Sequence, residues 1–264
     1  MKKWIVLIML VVAVSLSAHE YVLIAYHFIL QKGDRLELHL FVADGFNVEL
    51  ERPLHKSITR HFGIINENGK TDLLATAKEG SLPVIDTIVN FNGQGLIYMD
   101  RDYAGISLPN NKFRDYLRED NIENITSIDT SKQLQTERYM RYLKALIQSN
   151  EKKSDTTFKT NIGQTFEIVL LDNPYQANLN DWIRAQILFR GTPLRNKVMT
   201  ARNRIGNLPC MNQYARTNDQ GICQFKLERD GDWFIHGTHL LKSADLKKSD
   251  WESFWVSYSF GVKF

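Results

Sequence analysis

The sequence is poor in the features that most quickly assign a protein to a class. Charge of one sign is missing: 33 lysines and arginines stand against 30 aspartates and glutamates, and without Lys2 and Lys3 the basic count falls to 31. With no basic field to hold a phosphate backbone, nucleic acid is excluded as a partner. No glycine-rich phosphate loop, G-x-S-x-G elbow or H-E-x-x-H helix occurs. That removes the common nucleotide-binding, esterase and zinc-protease signatures and favours a protein that is not an enzyme. Long apolar runs are also scarce. Trp4 to Val14 is one, no later segment competes with it, and it is shorter than the roughly 20 apolar residues a bilayer core demands, so no stable membrane span is expected after processing.

Cysteine is nearly absent. Cys210 and Cys223 are the only two. In an oxidising compartment they are expected to pair, closing a short loop worth roughly 3 kcal/mol. A zinc site is a poor alternative, because two thiols without a close third ligand fall short of four, and His236 and His239 lie beyond knuckle spacing.

What is present begins at the N-terminus. Met1-Lys2-Lys3 is a basic start, the apolar run follows, and Ser15-Leu16-Ser17-Ala18 supplies small residues for cleavage. These are the parts of an export signal. No cysteine lies near Ala18, so lipid attachment has no residue to use. Cleavage after Ala18 makes His19 the first residue, whose α-amine and imidazole together chelate one metal ion; cleavage after Ser17 leaves Ala18 in front and His19 an ordinary strand-start histidine.

The rest reads as mainly β: an N-terminal antiparallel β unit with a short helical insert, followed by an immunoglobulin-like β-sandwich. Val22, Ile24, Tyr26, Phe28 and Leu30, then Leu36, Leu38, Leu40 and Val42, alternate on either side of Lys32-Gly33-Asp34, the pattern of a hairpin with one apolar face. Further strands are expected at His61 to Ile65, Val84 to Phe91 and Gly95 to Met99. Two helices are expected, Lys112 to Glu119 and Lys132 to Gln148, the second with Tyr139, Tyr142, Leu143, Leu146 and Ile147 on one stripe. The polar stretch from Glu151 to Thr160 reads as a linker between a domain at 19–150 and a second at 161–264, with 1–18 as the signal. In the second domain, short strands from Thr165 to Phe264 separated by turn residues favour a sandwich over a parallel α/β sheet.

Several short motifs occur in order along the chain: Ala18-His19-Glu20-Tyr21, Phe41-Val42-Ala43-Asp44-Gly45-Phe46, Leu108-Pro109, Glu137-Arg138-Tyr139, Asn173-Pro174-Tyr175, Phe189-Arg190-Gly191-Thr192-Pro193-Leu194, Gly231-Asp232-Trp233, Thr238-His239 and Asp250-Trp251-Glu252-Ser253. In these the chain resembles a bacterial exported family of unknown function, long described as a periplasmic component of nickel or cobalt uptake. The resemblance implies a periplasmic protein whose C-terminal sandwich is of the prealbumin or collagen-adhesin-repeat type, and a role in transition-metal handling. Cys210, Cys223, His27 and His39 depart from that pattern.

The candidate metal ligands are His19, His239, Glu252 and Asp44. His236 and His239, three apart, face opposite sides of a regular strand, and His239 is the one that matches the family motif. Glu252 brings a carboxylate toward His239, and Asp44 either ligates or makes an Asx turn before Gly45. An alternative pair is His27 and His39, which a three-residue turn would set directly opposite each other, with Cβ atoms about 4.5 to 5.5 Å apart. His19, roughly 26 Å of extended chain from His27, cannot join them. Glu137 and Arg138 read as a solvated helix face. The leading expectation is therefore a nickel- or cobalt-binding accessory protein, with copper also possible, that serves a membrane metal-uptake transporter. The alternatives are an interaction or carbohydrate-binding module, and a copper oxidase with an N-terminal histidine brace.

Overall fold

The structure is a computed structural model and describes residues 20–151 and 154–264. The export signal, the cleavage point and His19 lie outside the described residues. The chain runs β1 (Glu20–Ala25), β2 (Ile29–Leu30), β3 (Arg35–Asp44), β4 (Asn47–Glu51), β5 (Thr59–Asn66), β6 (Gly69–Asp72), α1 (Leu73–Thr76), β7 (Ile85–Ile88), β8 (Gly93–Pro109), α2 (Asn110–Glu119) and β9 (Leu134–Ser149). It continues through β10 (Phe166–Leu170), β11 (Trp182–Phe189), β12 (Thr192–Pro193), β13 (Val198–Arg204), β14 (Met211–Arg216), β15 (Ile222–Lys226), β16 (Gly231–Lys242) and β17 (Trp251–Val262). The protein is mainly β, as expected. No helix among the described residues is long and apolar enough to cross a membrane.

Three layers result. The middle one is a sheet in the order β14-β13-β16-β17-β9-β8-β5-β6, with β2 beside β9. Its first face is covered by β1-β3-β4 with β7, and its second by β10-β11-β12 with β15. The expected linker at 151–160 marks the passage from the middle sheet to the second covering sheet and does not divide the middle sheet, because β17 returns to pair with β9 in parallel.

The second expected helix is the main correction. Lys132 to Gln148 is not helical; most of it forms β9, whose Leu143, Ala145 and Ile147 enter the first core while Tyr142 and Leu146 enter the second. A strand covered on both faces shows an apolar run without alternation, and such a run contains a helical stripe by chance. The first expected helix is present as α2, which packs Phe113 on Trp251 and Tyr116 on Trp255 at ring separations of 5.4 and 5.9 Å.

The hairpin register also differs from expectation. His39 lies opposite Ile24, not His27. After Tyr26, whose N–H donates to the Glu37 carbonyl at 2.9 Å, the chain leaves β3 and sends β2 across to β9, so there is no three-residue turn joining two continuous strands. The cysteines are not bonded either. Cys223, opposite Ala185 on β15, belongs to the second core, whereas Cys210 packs at the edge of the first. The middle sheet stands between them, which is why closeness in sequence does not become a disulfide.

One charge is sealed inside the second core. Lys144, on β9, and Glu167, on β10, are each only 1% exposed and meet at 2.7 Å. The ammonium also donates to the carbonyls of Ile168 and Thr160, and the carboxylate accepts the backbone N–H groups of Ile162, Gly163 and Gln164. Desolvation lowers the Lys144 pKa, and Glu167 opposes that shift. Removing one member of such a pair strands the other. Lys144→Met is expected to cost about 3–5 kcal/mol in denaturant unfolding. In the native reduced protein a thiol reagent should titrate partly exposed Cys210 readily, and Cys223, whose pKa burial pushes up to about 12, only after unfolding.

Candidate functional site

Among the described residues the expected ligands do not converge. His239 and His236 do point to opposite faces of β16: His239 lies edge-on to Phe189 at 4.5 Å in the second layer, while His236 turns to the first face. Burial, with Lys197 and Arg190 nearby, holds the His239 imidazole down at about 4. It opens on a cavity of about 250 Å³ that Lys197, Glu123 and Asn124 also line. Glu252 shares the His239 face but is committed elsewhere, accepting from Tyr103 Oη and, at 2.6 Å, from Arg138 Nη2. Asp44 is exposed and only 3.8 Å from Arg202. His27 packs edge-on to Tyr26, and His39 is 2.7 Å from Glu51 and stacked on Phe41.

A different group assembles on the first face, between the start of β1 and α2. Glu20 is 4% exposed. Its Oε2 accepts the Gly45 N–H at 2.8 Å, while Oε1 pairs with Arg202 Nη2 at 2.6 Å and lies 3.3 Å from His236 Nε2. Gly45 sits at φ +64, and a Cβ there would meet Arg202 Nη1 at 3.2 Å, so in the Ala43-Asp44-Gly45-Phe46 motif the glycine rather than the aspartate shapes the site. His236 receives a long hydrogen bond from Arg202 Nε at 3.4 Å. Burial, reinforced by Arg202 and Lys197, pushes its pKa down to about 3, leaving a neutral ring with a metal-competent nitrogen.

Two more carboxyls lie on the same face. Asp120, just after α2, accepts from Thr238 Oγ1 at 2.7 Å and is raised to about 7 by burial, with Glu20 and Glu137 adding to the shift. Glu137 is likewise raised to about 7 by burial; it accepts from Ser253 Oγ and Tyr116 Oη, and its Oε2 has no partner. The expected solvated helix face is thus a buried strand position. Ser257, opposite His236 on β17, also leaves its hydroxyl unpartnered.

The family described as a domain of unknown function, DUF4198, matches residues 16–240. The chain belongs to this family. No curated protein matches it. The DUF4198 match contains Glu20, Gly45, Asp120, Glu137, Arg202 and His236, and stops before β17 with Glu252 and Ser257.

Among the described residues no three of His, Cys, Asp and Glu stand close enough to hold a metal ion. Glu20 and His236 supply two donors of suitable chemistry, so a metal needs others. Sequence reasoning missed Glu20, Arg202, Asp120 and His236. Glu20 and Glu137 lay within motifs, but only tertiary packing reveals that they are buried.

The low pKa of His236 fixes a pH dependence. The unfolded chain takes up this proton below about 6.5 and the folded chain only near 3, so the stability present above 6.5 is lost as pH falls through that window. Asp120 and Glu137, raised in the fold, have the opposite sign and lose their contribution as pH rises through 7. His236→Gln is expected to shrink the fall in unfolding free energy between pH 6.5 and 4 by about 3 kcal/mol, measured by denaturant titration at each pH.

Proposed function

We propose that this protein is a periplasmic, non-enzymatic carrier or accessory of a metal-uptake transporter, with nickel or cobalt as its cargo, bound at the start of β1. The reading rests on the 3.3 Å approach of Glu20 Oε1 to His236 Nε2, two donors at the start of β1. If cleavage follows Ala18, residue 19 carries the free α-amine and an imidazole, and it is bonded directly to Glu20. Amine, two imidazoles and one carboxylate make a four-donor set suited to Ni²⁺ or Co²⁺, and by the Irving–Williams order to Cu²⁺ more tightly. Metal entry asks Arg202 to release Glu20; Asp44, 3.8 Å away, and Asn212 Oδ1, 3.3 Å away, are the alternative partners for its guanidinium.

His236 therefore replaces His239 in the ligand set. The strands after residue 161 support the prealbumin-like reading of the C-terminal part: β10, β11, β12 and β15 face β13, β14, β16 and β17 across one core. Such sandwiches serve many roles, so the fold does not choose among them.

Calorimetric titration of the processed protein with Ni²⁺ is expected to give one site, weakening as pH falls through protonation of the His19 imidazole near its ordinary value of about 6.5. His236→Ala, and separately one extra residue before His19, should each weaken it more than about tenfold, a change of 1.4 kcal/mol or more, whereas His239→Ala should not. Absence of binding in the processed protein would remove the metal reading and leave the interaction or carbohydrate-binding module in front.

A further inference from the structure

Arg101 on β8 and Arg141 on β9 are directly opposite each other in the antiparallel register. Both point to the first face, as their neighbours Met99 and Leu143 do. Like charges in this position repel, and burial makes the repulsion worse. Arg101 is nevertheless only 4% exposed, and among the described residues its one side-chain hydrogen bond is from Nη1 to Thr59 Oγ1 at 3.3 Å. Arg141 lies between two rings, with its guanidinium carbon 3.6 Å from the Tyr21 centroid and 4.3 Å from that of Tyr139. Stacking uses the faces of the guanidinium and leaves its N–H edge free; the Nε is buried with no partner.

No carboxylate among the described residues contacts these charges: Glu137, which feels Arg141 at longer range, accepts from Ser253 and Tyr116 instead. Among the described residues neither arginine forms an ion pair, and Glu79, which Arg101 feels at longer range, is already engaged by His55 and the Lys56 N–H. The residues outside the description supply none, for 1–19 contain no aspartate or glutamate and 152–153 are both lysine. The backbone is also specialised here. The β5–β8 register shifts between Thr59 and His61, and the β8–β9 register shifts between Arg101 and Ala104, so Arg101 sits at the meeting of two irregularities. Bulges of this kind re-aim side chains beside binding sites.

We infer that Arg101 and Arg141, with the Thr59 hydroxyl, form a binding site for a small oxyanion, a carboxylate or a phosphate, reached past the partly exposed rings of Tyr21 and Tyr139. Two guanidinium forks offer in-plane N–H pairs that match the two oxygens of either group. The site is independent of the metal reading, since it shares none of that reading's ligands.

The test uses the whole processed protein, titrated with inorganic phosphate and with acetate against chloride at equal ionic strength. At least one of the two oxyanions should raise the melting temperature by about 2–4 °C, and calorimetry on the unaltered protein should show one site for it. The anion that acts separates phosphate from carboxylate recognition. Arg101→Gln, which keeps a donor for Thr59 while removing the repulsion, should melt no lower than the unaltered protein in chloride and should lose the oxyanion response; Arg141→Lys, which keeps charge but not the fork, should weaken binding at least about fivefold. Equal melting in all three salts with no calorimetric site, or an oxyanion response that survives Arg101→Gln, would overturn the assignment.

Discussion

The structure depends on one strand being covered on both sides. β9 gives alternate side chains to two cores and pairs with β8 on one edge and β17 on the other. Everything that follows it in the chain must therefore return to it. The one charge on this strand that lies deep in the second core is Lys144, and Glu167, with three backbone N–H groups from the approach to β10, answers it. Apolar residues at both 144 and 167 would fill the same space without charge, so the ion pair's clearest effect is positional: it sets the loop at 162–164 and the start of β10 against the middle sheet. That such a pair adds specificity rather than net stability agrees with the cost of desolvating both ions.

How much of this was legible follows from the same geometry. β3 alternates because one side packs and the other stays partly wet, and it was read correctly as a strand. β9 was misread because it has no wet side along most of its length. The hairpin register failed for a related reason: local alternation says nothing about the chain crossing at Tyr26 to place β2 on another sheet. The opposite orientations of His236 and His239 were readable from strand period alone. Which of them faces Glu20 was not, because that depends on β1, more than two hundred residues earlier, lying over the middle sheet.

The polar groups of the first face collect toward α2, beyond the core that β1 and β3 cover. Phe234, Leu143 and Ile97 belong to the core beneath β1 and β3. Toward α2, beside the apolar cluster of Phe113, Leu240 and Trp251, the inward positions also include Ser257, Glu137 and Arg141, each with a buried polar atom that has no partner among the described residues. Burying a polar atom without a partner costs stability, so a run of such positions on adjacent strands is expected where binding, rather than folding, chooses the residues.

Counting residues gives the wrong electrostatic picture of this face. Asp120 and Glu137 are raised to about 7, so at neutral pH a substantial fraction of each is protonated, and Glu20 already has Arg202 as its partner. The acidic side is thus close to balanced without a bound cation, and a divalent ion must displace either a proton or Arg202 to enter. Titration gives the arginine side no such relief: a guanidinium does not lose its proton at these pH values, so its charge persists. Near-neutrality over the whole chain, +3 by residue count, therefore conceals a local imbalance at Arg101 and Arg141 that protonation cannot remove.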